Sequence, residues 1–191
     1  YASAWLKCHY PDVFSAAILN AQPMGFYSPS QLVAEAKRSG VEVRSIDVNH
    51  SEWDATLEPS THSRHALRLG LRLVKEIGET EGRRIVACRN DGYQRIEDIL
   101  RRADVSTRAL EALARGDGFG SLGLTARQAL WQVRKLARQH LHALPLFATS
   151  EQPEDMRDTA SSHSLPVAGL GEKVAQDYES TGLSLKAHPV D

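Results

Sequence analysis

Leu69–Arg89, LGLRLVKEIGETEGRRIVACR, and Ser106–Val133, STRALEALARGDGFGSLGLTARQALWQV, decide the reading of this chain. Each runs from a short apolar-periodic helix through a glycine-bearing turn into a second helix that carries arginines, the pattern of a helix-hairpin-helix unit. Glycine in such a turn takes positive φ without steric cost and lets another backbone come close. The helix that follows presents its free N–H groups and the positive end of its dipole, which together suit a phosphate oxygen. Two such units with a helix between them point to sequence-independent binding of a nucleic-acid backbone.

In the first unit Lys75 stands just before the turn, Gly78 within it, and Arg83 and Arg84 one turn into the next helix. In the second, Arg115, Gly116 and Gly118 hold the corresponding places. Thr125 and Gln128 have capping-box spacing and open a long helix to about residue 140. On it Arg127, Trp131, Arg134 and Arg138 share one face, while Leu130, Val133 and Ala137 share another. The candidate DNA contacts are therefore Lys75, Gly78, Arg83, Arg84, Arg115, Gly116, Gly118, Arg127 and Arg134.

Charge follows the same division. The net charge is −1, yet residues 61–140 hold sixteen Lys and Arg against nine Asp and Glu, with acidic segments on both sides. A basic middle suits a polyanion. An arginine-rich helical surface kept for solubility, or a five-helix protein-interaction module, would show the same composition.

Around this middle the chain reads as mainly α. At 191 residues with 41% apolar composition it can form one or two small domains with a core. Residues 1–20 read as helix broken at Tyr10-Pro11, with Trp5, Leu6, Val13, Phe14, Ala17 and Ile18 as its apolar set. Ser28-Pro29-Ser30-Gln31 opens a second helix with a capping box, and Gly40 stops it. Val41–Asp47 alternates as a short strand. The first boundary falls at Pro59–Ser63, and the middle is expected to be helical throughout, after an extended entry at Leu67–Gly70. Asn90-Asp91-Gly92 reads as a turn, Ile96–Leu100 as the connecting helix, residues 145–166 as a linker, and Gly171–Gly182 as one amphipathic helix before an extended end.

Other chemistry finds little support. Asp47, Asn49, Ser51 and Glu58 match calcium-loop positions, but Glu52 replaces the glycine of the sharp bend, so an ordinary polar loop is expected. The histidines and cysteines make no zinc spacing, and Cys8 and Cys88 read as reduced thiols of a cytoplasmic protein. No catalytic residue and no cofactor are assigned to this stretch. There is neither a membrane-length apolar run nor a signal peptide. The missing initial Met and the abrupt end suggest a piece of a longer protein.

The phrases GFYSPSQLV (25–33), ALRLGLRLVKEIGE (66–79), RALEALARGDGF (108–119) and LSLKAHPV (183–190) carry a resemblance that spans nearly the whole chain. It resembles the bacterial C-family DNA polymerases, the family of the DNA polymerase III α subunit, and most closely the error-prone, damage-inducible branch. The resemblance implies a C-terminal part of the fingers in residues 1–60, helical with a short strand. It implies a tandem helix-hairpin-helix DNA-binding domain in residues 61–143, and a linker in residues 144–191 leading towards an oligonucleotide-binding fold. It places the palm, whose carboxylates would hold Mg²⁺ in the parent enzyme, outside this stretch. It also implies work in translesion synthesis, DNA repair and replication beside accessory mutagenesis proteins, for which the linker or the Trp131 face could equally be a non-enzymatic docking surface. Two positions depart from the family. Glu76 stands where glycine is usual and puts a negative charge beside the first turn, leaving the second hairpin to do more. Gly82 replaces an alanine, weakening its helix by about 1 kcal/mol.

Overall fold

The computed structural model describes residues 1–142 and 169–186; most of the expected linker and the extended end lie outside the described residues. The order of elements is α1 (Ala2–His9), α2 (Pro11–Asn20), α3 (Pro29–Arg38), β1 (Glu42–Arg44), β2 (Thr56–Pro59), β3 (His65–Arg68), α4 (Glu79–Ala87), α5 (Ile96–Ala103), α6 (Thr107–Arg115), α7 (Ala126–His142) and α8 (Leu170–Thr181). The mainly α class holds.

Pro11, with no N–H to give, ends α1 and opens α2 at its first position, as the sequence requires. The inward face of α2 differs from the expected apolar set. Asp12, Ser15, Ala16 and Leu19 are buried, while Trp5, Leu6 and Val13 are exposed. Specific partners decide that phase: Asp12 sits 2.7 Å from His65 Nδ1, and the Asn20 amide brackets Ala55, donating to its carbonyl and accepting its N–H. These bonds offset much of the cost of turning polar groups inward, although Asp12 Oδ1 is buried without a partner.

Helix α3 follows its signals at both ends. Ser28 and Gln31 form the reciprocal capping box. Gly40 takes φ +80°, and the N–H groups of Gly40 and Val41 return to the carbonyls of Lys37 and Ala36, closing a Schellman motif.

The expected strand at 41–47 is β1, but it is one of three. The sheet order is β1-β3-β2, with β1 parallel and β2 antiparallel to β3. The expected boundary at Pro59–Ser63 thus falls in the turn between two paired strands. The middle is likewise not helical throughout: His65–Arg68 is the central strand, and Ala66 and Leu67 are fully buried. Glu58 joins the strands, accepting a fork from Arg68 at 2.8 and 3.0 Å and one bond from Arg44 at 2.6 Å.

The first helix of the first hairpin is reduced to a 3₁₀ turn, Leu71–Leu73. The N–H groups of Leu71 and Arg72 donate to the carbonyls of Glu52 and Trp53, which ties this short turn to the loop that leads into β2. The other helices of the middle are present, α5 as connector. A single apolar cluster runs from Leu19 through Leu67, Leu71, Ile85, Ile99 and Leu113 to Val133. Each fully buried Leu or Ile contributes about 1.5–3 kcal/mol, enough to hold even a one-turn element in place.

Helix α8 is the expected tail helix and packs on α6. The Lys75 N–H donates to the Ser180 carbonyl, and its ammonium donates to the carbonyls of Tyr178 and Glu179, a favourable place for a cation at a helix C-terminus. Lys186 bridges Asp117 and Asp177.

Three buried or half-buried carboxylates predict an acid response. Burial pushes Asp47 upward, but the hydrogen bonds of Ser121, His50 and Asn49 outweigh it and hold it below its ordinary value. Burial likewise raises Asp12, and its bond to His65 and nearby N–H groups bring it below. Arg68, then Arg44, lower Glu58 against its desolvation. Depressed folded-state values mean that the stabilisation is present above the unfolded carboxylate value of about 4 and is lost as pH falls through the lower folded values. The urea midpoint is expected to drop steeply below about pH 4, and Asp47→Asn to flatten part of that slope. A midpoint unchanged into acid would remove these contacts from the account.

Candidate nucleic-acid interface

At the first hairpin the structure moves the special backbone conformation by two residues. Gly78 has φ −76° and serves as the N-cap of α4, while Glu76 takes φ +73°. The glycine usual at position 76 in the resembling family would fit that left-handed conformation without strain. Here the Glu76 carboxylate accepts a bond from Arg108 at 3.3 Å and lies 3.6 Å from Arg115. The Arg108 bond, with Arg115 nearby, holds it below its ordinary value, so it stays ionised.

The remaining first-unit candidates are engaged. Lys75 is turned to the end of α8, as described. Arg83 donates to Glu79 at 2.8 Å, and Arg84 donates to Asp104 at 3.2 Å. The α4 N-terminus therefore carries Glu76, Glu79 and Glu81 around it. Glu81 also accepts the Ser106 N–H at 2.9 Å. Gly78 stays open, with only a Glu81 oxygen, at 4.0 Å, near where a Cβ would be.

At the second hairpin the turn named from the sequence is an inner one. Gly118 is buried, and neither it nor Gly116 has positive φ; Asp117 does, at +57°. A Cβ on Gly116 would face Thr181 and Ser180 of α8, and one on Gly118 would press on the Leu113 carbonyl at 3.1 Å. Both glycines serve close packing. Arg115 is spent on Glu111 at 3.0 Å and on Glu76.

The outward turn is Gly123-Leu124-Thr125. Gly123 has φ +70° with nothing within 4 Å of its Cβ position. It follows a 3₁₀ turn, Gly120–Leu122, and Thr125 closes a capping box with Gln128 at the start of α7. The first hairpin repeats this build. A 3₁₀ turn (Leu71–Leu73) precedes a positive-φ residue (Glu76), an apolar residue (Ile77), a cap (Gly78) and a helix. The true internal match is therefore Glu76-Ile77-Gly78 with Gly123-Leu124-Thr125. Glycine spacing alone hid it, because Gly116-x-Gly118 is the more conspicuous pair; the step from glycine directly into the Thr125 capping box was the available signal.

The outer face of α7 keeps the expected side chains. Arg127 pairs with Glu172 of α8 at 2.6 Å. Trp131 is 58% exposed, with the Lys135 ammonium 5.7 Å from its ring centre. Arg134 and Arg138 are exposed and have no carboxylate partner among the described residues. A groove of about 450 Å³ beside this face is lined by Gln94, Arg95, Glu97, Leu122, Leu124, Gln132 and Lys135 among others. Two cations that sequence reasoning passed over, Arg95 and Lys135, therefore flank the outward turn together with one carboxylate, Glu97.

Other arginines of the basic middle are structural. Arg102 donates to the carbonyls of Cys88, Arg89 and Gly92 and covers the Tyr93 ring at 4.7 Å. Arg89 donates to the carbonyls of Val48 and Ser51. The local charge sum therefore overstates the free positive surface. Among the described residues no three His, Cys, Asp or Glu side chains converge as metal ligands, and both cysteines are free. Nor is any described helix long and apolar enough to cross a membrane.

Residues 40–129 match the helix-hairpin-helix motif family. Over its whole length the chain is 46% identical to an error-prone DNA polymerase of Sinorhizobium medicae (strain WSM419). It is 45% identical to error-prone DNA polymerase 1 of Rhizobium meliloti (strain 1021), and 45% identical to an error-prone DNA polymerase of Brucella abortus biovar 1 (strain 9-941). The chain spans 18%, 18% and 17% of those relatives. The resemblance to the error-prone branch holds from one end of the chain to the other.

Proposed function

We propose that this chain, homologous along its whole length to error-prone DNA polymerases, is the part of such an enzyme that holds duplex DNA by its backbone without reading its sequence. The observation that carries the proposal is the repeated build of the two turns, each delivering a helix N-terminus to the surface behind a positive-φ residue. The second turn is the stronger grip. Gly123 leaves room for close approach, Thr125 opens α7, and Arg95 and Lys135 line the groove beside the turn. Arg134 and Arg138 lie further along α7, where they would add charge to an extended phosphate path. The first turn is muted by Glu76, Glu79 and Glu81. Arg127 and Lys75 would reach phosphate only by exchanging their present partners.

In this reading the parent enzyme is a cytoplasmic DNA-directed DNA polymerase of translesion synthesis, DNA repair and replication. The Mg²⁺ of nucleotidyl transfer would be held by palm carboxylates outside these 191 residues. A second reading, docking of accessory mutagenesis proteins, is favoured by one observation, the exposed Trp131 beside the groove.

Duplex binding by the 191-residue chain separates the two. Affinity is expected at about 10⁻⁴–10⁻⁶ M, weakening roughly tenfold for each doubling of salt if about four phosphates are neutralised. Salt-independent binding, or strong preference for one sequence, would overturn the backbone reading.

A further inference from the structure

We infer that the loop Asp47–Ser51 is a positioning clasp for the second hairpin, with Asn49 as its central residue; this rests on the DNA-holding reading above. The loop that resembles a failed calcium site is fully occupied with protein partners. The buried Asp47 carboxylate accepts the Ser121 N–H at 2.8 Å through one oxygen, and the Asn49 N–H at 2.9 Å through the other, which also lies 2.8 Å from His50 Nδ1. The Val48 N–H donates to the Gly118 carbonyl at 2.8 Å. The Asn49 amide donates to the Tyr93 carbonyl at 2.9 Å and to the Ser121 hydroxyl at 3.0 Å, and its oxygen accepts the Tyr93 N–H at 2.7 Å.

These bonds end at two places that matter. Ser121 lies two residues before Gly123, and Tyr93 lies two residues before Arg95. Asn49 thus ties together the two walls of the groove, one carrying the outward turn and the other carrying Arg95. The clasp is itself held from behind: the Asp47 N–H donates to Ser51 Oγ, which donates to the Leu69 carbonyl just after β3. Leu122 and Leu124 rest on the apolar core, and Thr125 is capped by Gln128. Gly120, Ser121 and Gly123, however, are exposed, and the 3₁₀ turn Gly120–Leu122 has no side-chain cap of its own, so the polar side of the turn is held by Asp47 and Asn49. Loosening Asn49 should therefore free the turn while the apolar core stays closed, because local opening follows the weakest local contacts.

The test compares Asn49→Ala, Ser121→Ala and Gly123→Val with the parent 191-residue chain. Thermal unfolding comes first, then amide hydrogen exchange and duplex-DNA affinity. Asn49→Ala is expected to speed exchange at Leu122–Thr125 by about tenfold while α4 amides stay unchanged, and to weaken DNA binding by a similar factor. In the Gly123→Val background it should add less than about twofold, because the turn it positions is already disabled. Should Asn49→Ala fail to fold, Ser121→Ala, which leaves the Tyr93 bonds intact, is expected to move exchange and affinity in the same direction by about threefold. Folded variants that exchange and bind like the parent would overturn the clasp. So would faster exchange spread evenly over the chain, or an affinity loss that simply adds to that of Gly123→Val. A parent chain that binds no duplex at all would instead overturn the reading on which the clasp rests.

Discussion

Glu76→Gly is expected to tighten duplex-DNA binding by about tenfold at low salt and to steepen its salt dependence. Glu76 holds φ +73°, which glycine adopts freely, so the exchange should leave the hairpin folded and relieve local strain. It removes the carboxylate nearest the first turn. It also releases Arg108, whose side chain is 74% exposed, and leaves Arg115 with Glu111 alone. A like charge disappears and at least one cation becomes available for phosphate, so both terms act in the same direction. Arg108→Ala placed on top of Glu76→Gly should take back most of the gain. Fluorescence anisotropy at two salt concentrations measures both effects. A folded Glu76→Gly chain that binds no better than its parent would mean that the first hairpin does not approach DNA.

How much of this was legible depends on whether the signal is local. The caps of α3 and α7, the stop at Gly40 and the connector α5 were readable because each rests on residues within a few positions of one another. The sheet was not, beyond β1. Strand β2 ends on a proline and β3 holds only Ala66 and Leu67 between His65 and Arg68, so neither alternates clearly; they become strands through one another and through β1. Leu69–Leu73 has helical spacing, yet the carbonyls of Arg44, Glu52 and Trp53 take the N–H groups of Leu69, Leu71 and Arg72. Gly82 shows the same limit. By propensity it weakens α4, but a Cβ there would lie 2.3 Å from the Trp53 ring, so its absence is what lets the tryptophan lie on the helix. The site was half legible: the tandem arrangement and the α7 face came from pattern. The outward turn at Gly123, the docking of Lys75 on the end of α8 and the ion pairs of Arg115 with Glu76 and Arg127 with Glu172 depend instead on how distant segments meet.

The largest loss of stability is expected from Gly70→Ala. A Cβ at this position would lie 2.4 Å from the Asp54 carbonyl carbon, 2.5 Å from the Trp53 oxygen and 2.7 Å from the Ala55 nitrogen. All three are backbone atoms, which cannot swing aside as a side-chain end can. Nor is the segment free to shift. The Glu52 and Trp53 carbonyls accept the N–H groups of Leu71 and Arg72, and Ala55 is bracketed by the Asn20 amide. Moving it far enough would break several of these bonds inside the core. Gly70 itself has φ −81° and ψ 156°, which alanine adopts readily, so the cost is purely one of overlap. A loss of about 3 kcal/mol or more is expected from overpacking of this kind. Gly123→Ala supplies the contrast, since there the space is open and only the positive φ is penalised, at about 1 kcal/mol. Urea unfolding of the two variants beside the parent separates steric overlap from backbone strain. A Gly70→Ala chain as stable as Gly123→Ala would show that the β3-to-hairpin junction yields far more easily than its hydrogen bonds imply.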